Sequence, residues 1–551
     1  MKTVIIGGVA GGASCAARLR RLDEALEIVM LEKGGYISFA NCGLPYYVGD
    51  TIREEAKLSV MTPKAFSARF NVDVRPYNEA IRINRAEKTV TVRREDGSEY
   101  TESYDKLVYS PGAVPNVPAY VPESERIFTV KTIPDAGKIK SYVNLAKPKT
   151  AIVAGSGFIG LEMAENLAEC GVKVTVIGRS GHVLSNVDED TAWYIHSHLK
   201  ACGLELVCGA AMTGVREEGG RITVTTSKGE LSAELLIMAV GVKPDSALAA
   251  ECGLACDKQG YILTDEGMRT SDENIYALGD ACVIRDFQTG EPTHVALAGP
   301  ANWQARIAAD RICGTASRYR GSQRSFILKL FNKTVAATGM SEKAARALGI
   351  DCEKVHLYQA NHATYYPGAD MIAVKLLFDK KDGKVLGGQF FGGEGTDKRA
   401  DVLATAIRAG MTVYDLEELE LCYAPPFSSA KDPVKMAAMA AENILTGKVK
   451  VFHWEDLDKL YDMDVTLLDV RNENEFANGA VPGFINIPLP VLRDRLDELD
   501  RSKPVYVHCL SGMRSYVACR ILTGHGFDCY NISGGYKLFS VMDEFQKDET
   551  V

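Results

Sequence analysis

Residues 3–12 read TVIIGGVAGG, and they decide the first part of the fold. Four strand-forming residues run straight into Gly7, Gly8, Gly11 and Gly12, with Val9 and Ala10 between the pairs. A helical run follows from Ala13 to Leu22, then a strand from Glu27 to Leu31 that ends on Glu32 and Lys33. Strand, glycine turn, helix, strand and terminal acid together predict a dinucleotide cradle. The glycines let the backbone approach a pyrophosphate, and the helix start offers free amides and a positive dipole end. Glu32 is placed to accept from a ribose hydroxyl. Val9 occupies the place of the middle glycine of G-x-G-x-x-G, so the motif is imperfect; the alternative is a bland glycine turn.

A second unit begins at 150–154, TAIVA, and continues through Gly155-Ser156-Gly157-Phe158-Ile159-Gly160, a complete G-x-G-x-x-G. A helix is expected over Leu161 to Cys170 and a strand over Lys173 to Ile177. Two such units imply two dinucleotides. Gly178 stands where an acid would favour NADH, and Arg179 follows, either pairing with a 2′-phosphate or sitting as a solvated charge. The coenzyme is therefore NADH or NADPH.

The 551-residue chain is long enough for several domains. Its 46% hydrophobic and 25% charged residues are ordinary globular composition. A formal net charge of −9 gives no global attraction to nucleic acid. No apolar run approaches the roughly 18 residues that span a bilayer, and the start is too short for a signal peptide. The expectation is a cytoplasmic protein with no membrane or nucleic-acid partner. Fourteen cysteines in a reducing compartment read as free thiols. None are spaced C-x-x-C, which argues against a zinc ribbon and a thioredoxin-type pair; no metal site is expected.

Cys42 lies in YISFANCGLPYY, residues 36–47, just beyond Glu32. A nearby helix start and a flanking glycine favour a thiolate. An isolated cysteine in an apolar segment is otherwise buried and inert. The segment resembles the active-site stretch of coenzyme A disulfide reductases and their persulfide-reductase relatives, which are pyridine nucleotide-disulfide oxidoreductases. Most of that superfamily uses a C-x-x-x-x-C pair. Here the fifth residue after Cys42 is Tyr47, so one thiol must form a mixed disulfide, a persulfide or a sulfenic acid.

The resemblance covers residues 1 to about 445 and implies the rest of the site. FAD takes the first cradle and a nicotinamide the second. Ser110-Pro111-Gly112 is similar to the segment where the chain leaves the flavin domain, and the stretch around Gly241 to the one where it returns. SDENIYALGD, residues 271–280, resembles the motif whose aspartate, here Asp280 after Gly279, holds the flavin ribityl chain. Tyr365-Tyr366-Pro367-Gly368 and the stretch from Tyr423 to Asp432 resemble the tyrosine and late motifs of a dimerisation domain. They imply a homodimer in which Tyr365 (or Tyr366) and Tyr423 reach the partner's cysteine and act on its thiolate.

The resemblance also makes Ser14, Arg18 and Arg21, one face of the first helix, contacts to coenzyme A phosphates. Ser38 and Asn41 would lie nearer the sulfur, and Lys431 near bound coenzyme A. The bland reading of the helix stripe is a solvated face.

A new pattern starts near Glu455. LLDVRNENEF, residues 467–476, and the C-x-x-G-x-R loop from Cys509 to Arg514 resemble a rhodanese over roughly 455–545. A strand-to-helix loop points its amides into a nest that stabilises the Cys509 thiolate or its persulfide. Arg514 adds positive charge or orients the loop. A phosphatase needs a larger cradle.

The expected architecture is α/β. Residues 1–115 and 241–324 form an FAD domain, and 116–240 an interleaved NAD(P) domain. An α+β dimerisation domain spans 325–445, a linker 446–454, and an α/β rhodanese domain 455–551. The expected activity is NAD(P)H-dependent reduction of a small-molecule thiol derivative. The substrate is a coenzyme A persulfide, polysulfide or disulfide, and the fused rhodanese tips the choice toward persulfide. Two other readings stay open: an NADH oxidase or peroxidase cycling through sulfenic acid, and a rhodanese that only docks or regulates.

Overall fold

The structure is a computed structural model and describes residues 1–549. Thr550 and Val551, the last two residues of the expected rhodanese domain, lie outside the described residues. The chain divides into two units. One comprises residues 1–181 and 204–324; the other comprises 182–203 and 325 onward.

The first unit holds two parallel sheets. In one, Lys2–Ile6 is central, flanked by Glu27–Glu32 and Lys106–Tyr109, with Asp73–Pro76 and Ile275–Ala277 at the edges. The inner strands read as continuous apolar runs because the sheet is covered by helix Ala10–Leu22 and by the antiparallel strands Asn78–Asn84 and Thr89–Arg94, whose Ile83, Val90 and Val92 join its core. Val4, Ile5, Met30, Leu107 and Val108 are accordingly buried. The second sheet is ordered Glu205–Val207, Lys173–Ile177, Thr150–Ala154, Leu235–Met238, Ile127–Phe128, again all parallel. Strand 275–277 completes the first sheet only after the chain has built the second. The two crossing segments, Ala113–Pro115 and Val242–Pro244, pair antiparallel.

The second unit contains an antiparallel five-stranded sheet and a parallel one. The antiparallel sheet runs Phe326–Leu330, Lys333–Gly339, Val385–Gly392, Met371–Asp379, Cys352–Ala360. Helices Thr396–Ala409 and Pro433–Leu445 contribute Leu403, Ile407, Val434 and Ala438 to its core. The helix Glu189–Ala201, inside the stretch expected to belong to the NAD(P) domain, clusters with this unit instead. Its Asp190 reaches Lys375 of the sheet. The parallel sheet is ordered Lys450–Phe452, Cys529–Ile532, Val505–His508, Thr466–Asp469, Ile485–Asn486. Its first strand falls in the expected linker. Val451 packs against the C-terminal core and Trp454 is 1% exposed, so burial of those two side chains draws the connection into the domain.

Candidate functional site

Each glycine turn is shaped by contacts that exclude a side chain. Gly7 has φ +92°, and a Cβ there would lie 2.1 Å from the Ser110 carbonyl oxygen. A Cβ on Gly12 would lie 1.8 Å from the Gly7 carbonyl oxygen, locking strand, turn and helix Ala10–Leu22 together. The second unit repeats this: Gly160 would meet the Gly155 carbonyl oxygen at 1.9 Å. Gly157 differs, because nothing lies within 4 Å of where its Cβ would be. Its missing side chain serves no protein contact and leaves the helix start open to a ligand, which is what a pyrophosphate requires. The helix there begins at Phe158, three residues earlier than the sequence pattern implied.

Glu32 is held by two amides, from Gly8 at 2.9 Å and Gly34 at 2.9 Å. Lys33 pairs with Asp245 at 3.0 Å. Ser110, Pro111 and Gly112 run beside Gly7, and Gly112 and Gly241 both take positive φ where the two crossing strands start. Gly279 is fixed by its amide donating to Gln304 at 2.7 Å. Burial pushes the carboxyl of Asp280 up, and Lys131 opposes the shift. These residues fit a flavin dinucleotide.

At the second cradle, a Cβ on Gly178 would lie 2.4 Å from the Ser156 hydroxyl. The glycine loop itself therefore crowds the place where an acid would stand. Arg179 is exposed.

Cys42 sits in a single 3₁₀ turn, Asn41–Gly43, immediately before the short helix Leu44–Val48, and it is exposed rather than buried. The expected thiolate stabilisation is not what the surroundings supply. Partial burial pushes the thiol up, and the negative charges of Glu162 and Asp280 add to that, against a smaller lowering by its own backbone amide. Beside it, Asn41 Oδ1 is buried with no partner, an orphaned acceptor that suits a donor on a ligand. Ser38 holds φ +44° with its amide donating to the Gly8 carbonyl at 2.8 Å, which ties the cysteine segment to the glycine turn.

The helix stripe is only partly free. Ser14 donates to Asn302, and Arg18 forms an ion pair with Asp310 at 2.7 Å. Arg21 is exposed. The neighbouring Arg20 is buried and donates to the carbonyls of Phe70, Glu24, Leu26 and Asn71. The stripe thus separates into a bonded serine, a paired arginine and a solvated one, beside the structural Arg20.

Sequence reasoning missed Glu162 and Tyr46. Burial and the nearby Glu165 raise Glu162 to about 7, while a hydrogen bond from Tyr46 opposes the rise. Burial and the same two carboxylates raise Tyr46 to about 12. Glu162 lies in the helix Phe158–Glu169 behind the second glycine turn.

In the second unit, Tyr365 and Tyr423 are brought together although 58 residues apart, with their hydroxyls 3.1 Å from each other. Both are exposed, and Tyr366 stacks edge-on against His362 instead. The hydrogen bond shared with Tyr423 raises the Tyr365 phenol. Lys431 is exposed and its carbonyl accepts from Gln359 at 2.8 Å.

Cys509 follows the strand Val505–His508 and is 1% exposed. The Gly512 amide donates to its sulfur at 3.2 Å and the Ser515 hydroxyl at 3.4 Å. Gly512 takes φ +99°, and helix Met513–Gly524 starts directly behind it. Arg514 is bidentate to Glu475, at 2.6 and 2.7 Å, and this pairing holds the Glu475 carboxyl down to about 2. Below the loop, Asp469 clamps the buried Arg471 at 2.7 Å. Burial holds His508 down to about 4, although Asp469 opposes this. Cys519 and Cys529 are buried core thiols.

Two dinucleotide cradles with one cysteine on the segment that closes the first define a flavin-dependent nicotinamide oxidoreductase. A sulfur-cradling loop is appended to it. Comparison with known proteins agrees. Residues 1–305 match the pyridine nucleotide-disulphide oxidoreductase model, 327–434 its dimerisation domain, and 453–541 a rhodanese-like domain. A coenzyme A disulfide reductase from Staphylococcus epidermidis is 35% identical over 443 residues, 80% of this chain and 100% of that protein. The crystal structure of reduced Bacillus anthracis CoADR-RHD superposes with a TM-score of 0.95 at 46% identity, covering 98% of each chain. The NAD-dependent persulfide reductase of A. fulgidus gives 0.93 at 36% identity, covering 98% of this chain and 100% of that one. A water-forming NADH oxidase from Lactobacillus brevis gives 0.77 at 26% and covers 81% of this chain. The chain belongs to the pyridine nucleotide-disulphide oxidoreductase family, in its coenzyme A disulfide reductase branch with a C-terminal rhodanese-like domain.

Proposed function

We propose that the protein is a homodimeric cytoplasmic reductase that uses NADH or NADPH to reduce coenzyme A persulfide, and more slowly coenzyme A disulfide. The observation that carries this reading is the exposed Cys42 on the cradle segment, with Tyr47 where a second cysteine would stand, in one chain with a sulfur-cradling Cys509. Bound FAD and nicotinamide supply the electrons that reach sulfur. The chain does the rest. Cys42 attacks the outer sulfur of a persulfide, its Sγ–S bond forms, the donor's S–S bond breaks, and the thiol leaves with the electron pair. With a disulfide the same attack yields a mixed disulfide and one thiol. Two electrons then release sulfide, or the second thiol, and restore Cys42.

Tyr365 and Tyr423 share a hydrogen bond and serve the partner's cysteine by donating to its thiolate or protonating the departing one. Ser14, Arg18, Arg21, Ser38, Asn41 and Lys431 receive coenzyme A, with Asn41 Oδ1 the acceptor left open for it. Arg179 faces a 2′-phosphate if the coenzyme is NADPH. Cys509 delivers or accepts the sulfane sulfur. The likeness to the NADH oxidase covers only 81% of this chain, so an oxidase reading leaves the Cys509 loop without a task.

Anaerobic turnover of the Cys42→Ser and Cys509→Ser proteins tests the division. Cys42→Ser should lose sulfide release while still binding FAD. Cys509→Ser should lose sulfur transfer and keep NAD(P)H-dependent flavin reduction. Persulfide reduction surviving in Cys42→Ser would overturn the assignment.

A further inference from the structure

Behind the Cys509 loop, within the second unit, lies a cavity of about 130 Å³. Helix Pro433–Leu445 supplies Met436, Met439 and Ile444, and the strand Cys352–Ala360 a second wall. The third wall is the cysteine loop itself, through Ser511, Gly512 and Met513. Gly512 is the residue whose amide holds the Cys509 sulfur at 3.2 Å. The cavity is therefore one residue away from the reacting atom.

Its chemistry is specific. None of the residues lining it is Lys, Arg, Asp or Glu. Its histidine, His356, is held below its ordinary value by burial, even though Asp190 stands 3.2 Å away. The ammonium of Lys537 stacks over the Tyr358 ring, 5.6 Å from its centroid, and is not part of the lining. The guanidinium of the loop, Arg514, holds both oxygens of Glu475 and also faces the Cys509 thiol, so it lies at the reacting atom and not in the cavity wall. A dianion such as thiosulfate seated in the cavity would lose its hydration without gaining a cation from the walls, which is unfavourable. The lining does offer methionines, whose flexible thioethers adapt to varied apolar ligands. It also offers Asn531, whose Oδ1 is buried without a partner while its Nδ2 reaches the Gly512 carbonyl at 3.4 Å. Size completes the picture: an apolar cavity of about 150 Å³ holds benzene, so this one takes a short end of a molecule and not a nucleotide.

We propose that this cavity is a second ligand site, which seats the sulfur-bearing end of an uncharged aliphatic or amide-containing organic persulfide and presents it to Cys509. The C-terminal domain is thereby selective for organic persulfides over inorganic dianions. The assignment rests on Cys509 being the sulfur acceptor. In the transfer, the Cys509 thiolate attacks the outer sulfur of R–S–SH. The Sγ–S bond forms and the R–S to S bond breaks. R–S leaves with the electron pair and takes a proton from solvent, and Cys509 retains Sγ–SH. Donor and acceptor exchange one sulfane sulfur, so no outside oxidant or reductant is needed. The Gly512 amide and Ser515 hydroxyl already face the sulfur that carries the charge.

The test compares pantetheine persulfide with thiosulfate as sulfur donor to the full-length protein, with cyanide as acceptor. The wild type should prefer the persulfide by at least tenfold in kcat/KM. Ala440→Trp fills the cavity away from the loop. It should raise KM for the persulfide at least tenfold and leave the thiosulfate rate and NAD(P)H-dependent flavin reduction unchanged. Met439→Lys, at the exposed rim, should fold regardless and lower KM for thiosulfate. Equal use of both donors by the wild type, or an Ala440→Trp protein with unaltered persulfide kinetics and native folding, overturns the cavity site alone. Transfer from neither donor overturns it together with the sulfur-acceptor reading of Cys509.

Discussion

Replacing Lys375 by methionine should strongly destabilise the second unit. The ammonium is 2% exposed and lies 3.0 Å from Asp188, 2.6 Å from Asp190 and 2.8 Å from Glu342. Lys354, also buried, pairs with Glu342 at 2.9 Å, stands 3.5 Å from Asp190 and touches Glu455. Two cations thus serve four carboxylates drawn from the helix Glu189–Ala201 and its cap, the short helix Glu342–Ala347 between strands of the antiparallel sheet, and the start of the C-terminal domain. Methionine keeps the volume and removes the charge, so the loss is electrostatic and not a cavity. Breaking a buried ion pair by deleting one partner costs about 3–5 kcal/mol, because the other charge is left in low dielectric. For a unit of this size 1 kcal/mol moves Tm by roughly 2–4 °C, which gives a fall of about 6–20 °C. Calorimetry of the full-length protein reads it, with the transition assigned by hydrogen exchange in strand 371–379. Adding Asp190→Asn should recover part of the loss. A Tm within about 2 °C of wild type would refute the view that this cluster is held together by its lysines.

Acid should act on the same cluster. Burial alone would raise the Glu342 carboxyl, but Lys375 and Lys354 hold it down to about 2 from 4.5. Because the folded value lies below the unfolded one, this contribution is present above about pH 4.5 and is lost as pH falls toward 2. It amounts to about 3 kcal/mol, and Glu342→Gln should flatten that limb of the stability curve. Gly12→Ala places a Cβ 1.8 Å from the Gly7 carbonyl oxygen. The purified variant should carry little FAD, and full flavin occupancy would contradict the turn geometry. Arg179→Ala should raise KM for NADPH about tenfold and leave NADH untouched; an unchanged ratio removes the phosphate role.

The two dinucleotide units were legible because their strands are buried on both faces and read as unbroken apolar runs, each ending in a glycine turn. The Cys509 loop was legible for a similar reason: strand, loop and helix are contiguous in sequence. What escaped depends on distant partners. Lys354 and Lys375 stand in strands where a lysine ordinarily marks a solvated face, and only the arrival of Asp188 and Asp190 from a segment more than 150 residues earlier explains their burial. Arg18 and Arg21 looked alike on one helix face until Asp310 claimed the first. The strand Lys450–Phe452 has three residues and takes its hydrogen bonds from Cys529–Ile532, so nothing local announces it. At Cys42, helix start and glycine were visible, but the carboxylates of Glu162 and Asp280, which act in the opposite direction, come from elsewhere in the chain.

The central claim is that one exposed cysteine accepts sulfane sulfur from a coenzyme A persulfide. Anaerobic NAD(P)H oxidation by the FAD-loaded protein, with coenzyme A persulfide and coenzyme A disulfide at matched concentrations, tests it most directly. The account predicts a kcat/KM at least tenfold higher for the persulfide, with sulfide released in proportion to coenzyme oxidised. A preference for the disulfide would contradict it and leave the Cys509 domain without its proposed purpose.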